Sequence, residues 1–324
     1  MDELGAADQG GLRGLTELVA GLRAHPGLRN KAPIALVREV FGATDWQAGP
    51  GDDGAVIPGG EGSLVVGGEA ILPAFVARDP FGAGVAAVLA NVNDLAAMGA
   101  VPLAIVDTVV ADEDVARAAL EGMRHAAGLY DVPVVGGHLT RHDGPPSISA
   151  FGLGRARNVL SVRHAAAGQH LLLACVTEGA MRSDFAFFGS FDERGGRLAG
   201  DVRTLATVAD DGSCVAAKDV SMAGMVGSLA MLLECRRLGV TVDLDAVPVP
   251  TGVALSEWLV AFPCFAFLLC APPGREDDCA RPFLDRGIRA DVIGTLDGTG
   301  EVAVSSGGRR EVVVDLTREG VTGL

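Results

Sequence analysis

The spacing of apolar and polar positions predicts an α/β protein in which helices alternate with short strands. The clearest helix is predicted to begin at Pro80, after the N-cap residue Asp79, and to end at Met98 before Gly99. Its apolar positions recur every three or four residues, as one buried stripe requires. Weaker helical patterns are predicted as two short helices within 13–42 and as single helices over 112–129 and 221–238.

Short apolar runs bounded by glycine, proline or polar residues predict the strands. They cover residues 55–57, 64–67, 103–110, 132–135, 148–153, 171–176, 290–295, 302–305 and 311–316. The longest apolar run, 259–271, is interrupted by Pro263 and is shorter than the roughly 20 residues that span a bilayer, so a buried strand is expected there. Gly136 and Gly137 are expected to end the strand 132–135 and to begin a loop.

The length of 324 residues predicts two domains, since one domain commonly takes about 150 residues. Basic residues replace the apolar pattern at 155–168, which marks a boundary. We predict an N-terminal helical segment over 1–45, an N-terminal domain over 46–160 and a C-terminal domain over 161–324.

Composition narrows the classes of function. The chain is 49% hydrophobic and 21% charged, as expected for a folded protein, and its net charge of −15 disfavours nucleic acid as a partner. No segment resembles a signal peptide or a membrane span, so no membrane partner is expected. Six cysteines lie in mostly apolar surroundings without a C-x-x-C pair, and we expect them to be reduced and buried in a cytoplasmic protein.

Six acidic residues stand where predicted elements begin or end, rather than on plain helix faces. They are Asp52, Asp53, Glu69, Asp94, Asp107 and Asp219. Carboxylates that converge raise one another's pKa unless a cation holds them, and Mg²⁺ with oxygen ligands commonly arrives with phosphates. Each acid alone also has a plain interpretation as a turn former, a helix-start residue or a solvated side chain.

Two glycine-containing segments accompany these acids. Residues 136–140 (Gly-Gly-His-Leu-Thr) follow a strand, and residues 219–224 (Asp-Val-Ser-Met-Ala-Gly) are predicted to open a helix whose first N–H groups could meet an anion. No Walker or Rossmann glycine pattern is present. His138 could equally be a structural, hydrogen-bonded histidine.

Three segments together resemble a known superfamily. They are residues 51–56 (Gly-Asp-Asp-Gly-Ala-Val), 91–102 (Asn-Val-Asn-Asp-Leu-Ala-Ala-Met-Gly-Ala-Val-Pro) and 136–140. The superfamily contains aminoimidazole ribonucleotide (AIR) synthetase, thiamine-monophosphate kinase, selenophosphate synthetase and the hydrogenase-maturation dehydratase. The likeness extends from residue 34 to about 320 and is greatest to the AIR-synthase-related subfamily, whose own variants resemble residues 69–73 and 218–224.

The resemblance implies an AIR-synthetase-like fold of two α/β domains, a homodimer in which N-terminal sheets pair, and ATP with Mg²⁺ bound in a cleft. It implies metal ligation by Asp52, Asp53, Glu69, Asp94 and Asp219, with Asp94 and Asp219 also catalytic. It implies nucleotide contacts from Asp53, Asn91, Asp107, Gly136, Gly137, His138, Thr140, Lys218 and Ser221.

Departures from individual relatives bear on the substrate. The N-terminal residues 10–14 contain neither the cysteine nor the lysine of selenophosphate synthetase, and the chain lacks the final cysteine of the hydrogenase-maturation protein. His138 and residues 222–224 differ from the thiamine-monophosphate kinase pattern. The leading hypothesis is an ATP- and Mg²⁺-dependent synthetase or kinase that activates an oxygen of a small molecule. The alternative is a non-catalytic ATP-binding partner protein in a metabolic or maturation complex.

Overall fold

A computed structural model describes residues 3–42 and 51–323. Within these ranges the helices are α1 (Glu3–Ala24), α2 (Pro26–Arg29), α3 (Ala35–Phe41), α4 (Pro73–Arg78), α5 (Pro80–Ala97), α6 (Glu113–Tyr130), α7 (Phe191–Arg194), α8 (Leu198–Asp210), α9 (Gly224–Glu234), α10 (Leu255–Trp258) and α11 (Glu276–Leu284). Short 3₁₀ turns cover Ala32–Ile34, Val162–His164 and Gly195–Arg197. The predicted domain boundary after residue 45 lies outside the described residues.

The strands fall into two main sheets. They are β1 (Ala55–Pro58), β2 (Ser63–Ile71), β3 (Val101–Ala111), β4 (Val134–Arg141), β5 (Ser147–Ala156), β6 (His170–Cys175), β7 (Ala180–Met181), β8 (Phe187–Gly189), β9 (Ala216–Asp219), β10 (Gly239–Asp243), β11 (Phe262–Pro263), β12 (Ala266–Ala271), β13 (Arg289–Asp297), β14 (Glu301–Ser306) and β15 (Arg309–Asp315). The prediction of two α/β units in series is confirmed.

The N-terminal sheet has the strand order β1-β2-β5-β3-β4. Its pairs are antiparallel except for β3 and β4, which run parallel because α6 returns the chain between them. β4 is the last strand in that order, and all eight of its residues are exposed.

The C-terminal sheet has the order β15-β14-β10-β13-β6-β12-β9. Its central strands β6 and β12 are almost wholly apolar and buried on both faces. Short β7, β8 and β11 form a further small sheet beside it. The run that was predicted as a buried strand at 259–271 ends in β12.

The helix α5 joins the two units. Asp79 accepts a hydrogen bond from the Gly82 N–H at 2.8 Å, which confirms the predicted N-cap. Most residues of α5 are buried, and the hydrophobic core around them continues into α8, α11 and β12 of the C-terminal unit. Asn93, itself buried, donates to the Cys264 carbonyl at 3.3 Å across the two units. The position of α5 is thereby fixed from both sides.

Three local predictions were wrong. The strand predicted over 132–135 begins at Val134 and continues through Gly136 and Gly137 to Arg141, because both glycines pair in parallel register with β3. The helix predicted from Ser221 begins only at Gly224, because Gly224 takes a left-handed φ of +66° and the residues before it are not helical. Cys235 is exposed, whereas the other five cysteines are buried as expected, and all six are free.

No helix in the described ranges is both long enough and apolar enough to cross a membrane.

Candidate active site

Three carboxylates converge at the inner end of a cleft between the two units. Asp53, Asp94 and Asp219 each offer an oxygen, and these atoms lie within 4.8 Å of one another. The Asp53, Asp94 and Asp219 side chains are almost fully buried. The structure therefore brings together three of the acids that the sequence singled out, from positions far apart in the chain.

Each carboxylate is delivered by a different element. Asp53 stands in the turn before β1, where Gly51 takes a φ of +96°. Asp94 lies near the end of α5, and Ala86 and Ala90 precede it on the same helical face, where their small side chains leave the cleft open. Asp219 ends β9, and its N–H donates to Asp53 at 3.3 Å. A shift in any of these elements would separate the three acids.

A lysine ammonium is part of the cluster. Lys218, in β9, donates to Asp219 Oδ1 at 2.7 Å and to Asp53 Oδ1 at shorter range, and only 3% of its side chain is exposed. The resemblance implied that Lys218 contacts the nucleotide, whereas in this structure its ammonium is bonded to two carboxylates. It compensates part of a charge that would otherwise be uncompensated in the interior.

The electrostatics of the site follow from burial and crowding. Burial, with Asp219 adding repulsion and Lys218 opposing both, raises the pKa of Asp53 to about 7. Burial and the neighbouring Asp219, Asp53 and Glu69 hold the pKa of Asp94 well above its ordinary value. The pKa of Lys218 is raised by Asp219 and Asp53 although burial works against it.

The cleft in front of the cluster has a volume of about 480 Å³, within the usual range for small-molecule sites. Glu69 of β2 lines it, and burial together with Asp219 raises the pKa of Glu69, while Lys31 and Lys218 oppose that rise. The chain contains only two lysines among its 324 residues, and both line this cleft.

The donor set fits a hard divalent cation. Mg²⁺ prefers carboxylate and water oxygens, and the three converging side chains offer carboxylate oxygens only. Burial, and then repulsion from the neighbouring acids, raises the pKa values of Asp53 and Asp94, and a divalent cation would favour the charged carboxylates and relieve that repulsion. Asp53, Asp94 and Asp219 would hold such an ion, with Glu69 beside them.

Asp52 lies beside the cluster, but its carboxylate binds to the segment that connects the two units. Its two carboxylate oxygens accept hydrogen bonds from the Ser161 hydroxyl and the Val162 N–H, both at 2.7 Å. These bonds tie the turn before β1 to the segment that connects the two units. Asp52 lines the cleft, yet it is not one of the three converging acids.

Ser221 also lines the cleft, just after β9. Its N–H donates to the Ser228 hydroxyl at 3.1 Å and is therefore already bonded within the chain. The helix α9 begins three residues later, at Gly224. The predicted anion site at the first turn of a helix from Ser221 consequently has a different local geometry.

A second group of predicted residues lies on the N-terminal sheet. Asp107 of β3 pairs with Gly137, and a Cβ at Gly137 would lie 2.6 Å from the Asp107 carboxylate. Burial raises the pKa of Asp107. Gly136, His138 and Thr140 occupy the exposed strand β4, and none of the residues on these two strands lines the cleft.

Asn91 is fully buried on the sheet side of α5. Its Nδ2 donates to the carbonyls of Ala87 at 2.8 Å and Ala150 at 3.1 Å, so it fixes the helix against β5. Asn91 does not line the cleft, and its contact with a nucleotide, expected from the resemblance, stays a prediction.

Several residues that line the cleft were not predicted from the sequence. Lys31 reaches the cleft from the N-terminal helical segment, and Phe75, Phe185 and Phe262 form its apolar side. The rarity of lysine was a signal that could have pointed to Lys31. The phenylalanines come from three distant segments and carry no common motif.

The two-domain α/β fold of this chain is shared with solved structures that hold nucleotides. T. maritima PurL complexed with ADP superimposes with a TM-score of 0.71 at 19% identity, over 83% of this chain and 46% of that chain. AaThiL complexed with AMPPCP and TMP gives a TM-score of 0.64 at 17% identity, over 86% of this chain and 95% of that chain. The chain thus spans about half of the PurL chain.

Sequence comparison gives the particular family. The AIR synthase related protein N-terminal domain matches residues 51–156, and the corresponding C-terminal domain matches residues 197–306. An uncharacterized protein of Synechocystis sp. is 32% identical over 318 residues, which is 95% of this chain and 98% of the relative. The chain belongs to the AIR-synthase-related family, as its motifs indicated.

Proposed function

We propose that this protein is an ATP- and Mg²⁺-dependent enzyme that transfers a phosphoryl group to an oxygen of a small molecule. The observation that carries the proposal is the convergence of Asp53, Asp94 and Asp219 from three elements at the end of an open cleft. Solved structures of the same fold hold ADP, ATP or AMPPCP, which supports a nucleotide in this cleft.

The residues of the chain have separate tasks in this scheme. Asp53, Asp94 and Asp219 hold the cation, which neutralises phosphate charge when bound. Lys218 keeps Asp53 and Asp219 in place, and Lys31 stands at the cleft wall as a second positive charge. Because phosphoryl transfer depends mainly on positioning and charge compensation, these fixed side chains are the catalytic contribution of the protein.

A homodimer is part of the proposal. The exposed strand β4 ends a sheet whose outer face carries Val106 and Phe151, while Leu139 is exposed on the other face of the same strand, an arrangement that proteins commonly cover. Pairing of this sheet with that of a second copy would bury it. His138 and Thr140 would then lie at the interface, where they could meet a nucleotide bound in the neighbouring copy.

The free cysteines accord with a cytoplasmic location.

Isothermal titration calorimetry with AMPPCP tests the binding step. We expect binding that requires Mg²⁺ and is weakened about 10-fold or more by Asp94→Asn, because one of the three carboxylate charges that hold the cation is lost. Asp114→Asn, which changes an exposed acid of α6, is the matched control and should bind like the wild type. Binding that is absent, independent of Mg²⁺, or unchanged in Asp94→Asn would contradict the proposal.

Turnover separates an enzyme from a non-catalytic partner. Release of ADP or AMP by the purified protein with candidate acceptors supports the enzyme. Tight AMPPCP binding without turnover, across acceptors and in the presence of co-purifying proteins, would favour the ATP-binding partner instead.

A further inference from the structure

A second cavity opens beside the cleft and is walled by aromatic rings. Its volume is about 290 Å³, and it lies between the first half of α5 and residues 182–192 of the C-terminal unit. Six of the chain's twelve phenylalanines line it: Phe75, Phe81, Phe185, Phe187, Phe191 and Phe262. A cavity of about 150 Å³ with apolar walls accommodates benzene, so this one has room for a ring with a substituent.

The rings are arranged around the cavity rather than sealed within a core. Phe75 and Phe185 stack at 5.8 Å between centroids, and Phe187 meets Phe262 edge-on at 5.5 Å. Phe81 remains 44% exposed, whereas Phe188, next to Phe187 but outside the cavity, is 1% exposed. Apolar ring surface is thus left open to solvent on the cavity side, where a ligand ring would cover it.

Two basic side chains line the cavity among the described residues, Arg182 and His125, and His125 lies tilted against Phe81 at 5.8 Å between ring centroids. Arg182 donates to Asp79 at 3.0 Å through two nitrogens and to Asp184 at 3.0 Å, so its positive charge is already compensated. Asp192 adds another carboxylate to the lining. A ring that bears a negative charge would therefore be disfavoured, and a neutral or positively charged ring is favoured.

The cavity is continuous with the cleft. Phe75, Phe185 and Phe262 line both spaces, as does Ala86 of α5. Along that helix, Ala86 lies eight residues before Asp94, which corresponds to about 12 Å at 1.5 Å per residue. A ring at the cleft side of the cavity, its short side chain and the γ-phosphate of a bound nucleotide would together bridge that distance.

We propose that this aromatic cavity binds the acceptor, and that the acceptor is a neutral or cationic aromatic or heteroaromatic ring carrying a hydroxyl on a short chain. The inference rests on the proposed phosphoryl transfer. The acceptor hydroxyl oxygen bonds to the γ-phosphorus of ATP, the bond from that phosphorus to the β-phosphate oxygen breaks, and ADP leaves. The hydroxyl proton passes to water in the open cleft.

Ligand-observed NMR titrations test the site with simple probes. The probes are 2-phenylethanol, its saturated analogue 2-cyclohexylethanol and the anionic phenylacetate, each added with and without AMPPCP and Mg²⁺. We expect 2-phenylethanol to bind about threefold to tenfold more tightly than the saturated analogue, and phenylacetate to bind most weakly. Equal binding of the three probes, or preference for phenylacetate, would overturn the proposal.

Variants localise the probe. Phe185→Leu and Phe75→Leu should each remove most of the preference for the aromatic probe, while Phe151→Leu, on the N-terminal sheet, should keep it. Should Phe185→Leu fail to fold, Phe81→Leu replaces it, because Phe81 is partly exposed and its loss leaves the core intact. An unchanged preference in the cavity variants that fold would contradict the assignment.

The titrations with AMPPCP and Mg²⁺ show whether the cavity binds the acceptor or the adenine base of the nucleotide. We expect AMPPCP with Mg²⁺ to leave binding of 2-phenylethanol unchanged or to strengthen it. Competition between them would show that the base occupies the cavity and would overturn the acceptor assignment. If the wild type binds 2-phenylethanol but no nucleotide, the proposed function fails while the aromatic site itself stands.

Discussion

At the scale of single residues, the site depends on one buried ammonium among acids. Lys218 is bonded to Asp53 and Asp219, and it supplies a positive charge at the cluster whether or not a metal is bound. Its presence limits how many divalent cations the same carboxylates can hold, because each added cation must compete with it or share its ligands.

Lys218→Met should destabilise the metal-free protein by about 3–5 kcal/mol, the usual cost of leaving a buried charge without its partner. It should also bind Mn²⁺ more tightly than the wild type. Denaturant unfolding in EDTA and Mn²⁺ titration followed by electron paramagnetic resonance measure the two effects. Lys31→Met, which changes the other lysine, is the control and should lose little stability. Equal Mn²⁺ binding by wild type and Lys218→Met would contradict this role.

The titration of Asp53 predicts how stability depends on pH. Its pKa is about 7 in the folded protein against an ordinary value of 3.8, so the folded state binds the proton more strongly than the unfolded state. Without divalent cations, stability should therefore rise as the pH falls from 8 to 6 and be lost as the pH rises through 7.

Thermal unfolding in EDTA at pH 8, 7 and 6 checks that prediction. Asp53→Asn should make the profile less steep, since it removes one titrating group while Asp94 and Glu69 remain, and Mg²⁺ should raise the melting temperature most at pH 8. A wild-type melting temperature that falls from pH 8 to pH 6 would contradict the assignment.

At the scale of the elements, the turn between β9 and α9 sets where Asp219 stands. Gly224 has a φ of +66°, and a Cβ there would lie 2.6 Å from the Val260 Cα. Only glycine satisfies both the backbone conformation and this close approach.

Gly224→Ala should cost about 3 kcal/mol, from backbone strain together with overpacking. Gly252→Ala isolates the strain, because Gly252 has a φ of +80° but open space around its Cβ position, and it should cost only about 1 kcal/mol. Urea unfolding of both variants measures the difference. Equal losses would show that the contact with Val260 carries no weight.

The elements also show what could be predicted from the sequence. The helix α5 was predicted closely, because a capped start, an apolar stripe and a glycine end act locally and agree. β4 was mispredicted because two adjacent glycines suggest a turn, whereas the parallel partner β3 holds them extended. Such a decision depends on a neighbour 30 residues away along the chain and is not visible in a local pattern.

The candidate site likewise has features that the sequence predicted and features that it did not. Convergence of Asp53, Asp94 and Asp219 was predicted from acids at element ends, and the structure brings them together. The bonding of Lys218 and the aromatic cavity were not predicted, because both depend on how the two units pack. The assigned roles of the site residues stay predictions.

At the scale of the whole molecule, the N-terminal sheet remains open at β4. Leu139 and Val135 are both more than half exposed there, on a strand whose outer edge has no partner among the described strands. Association through this sheet would remove apolar surface and an unpaired edge together.

Leu139→Lys should convert the expected dimer into a monomer, because it places a charge on the edge strand through which the two sheets would pair. Light scattering coupled to gel filtration measures the mass. Leu284→Lys, a change of an equally exposed apolar residue on α11, is the control and should leave the mass of the wild type. A wild-type monomer, or a dimer that survives Leu139→Lys, would contradict this interface.

The scarcity of lysine has a practical consequence for the whole chain. Lys31 and Lys218 line one cleft, so a reagent that acylates amines has its side-chain targets at the candidate active site alone. Lys31 is partly exposed and Lys218 is enclosed, which should make the first react and the second resist. The mass added at Lys31 would then report occupancy of the cleft directly, without a substrate or an assay.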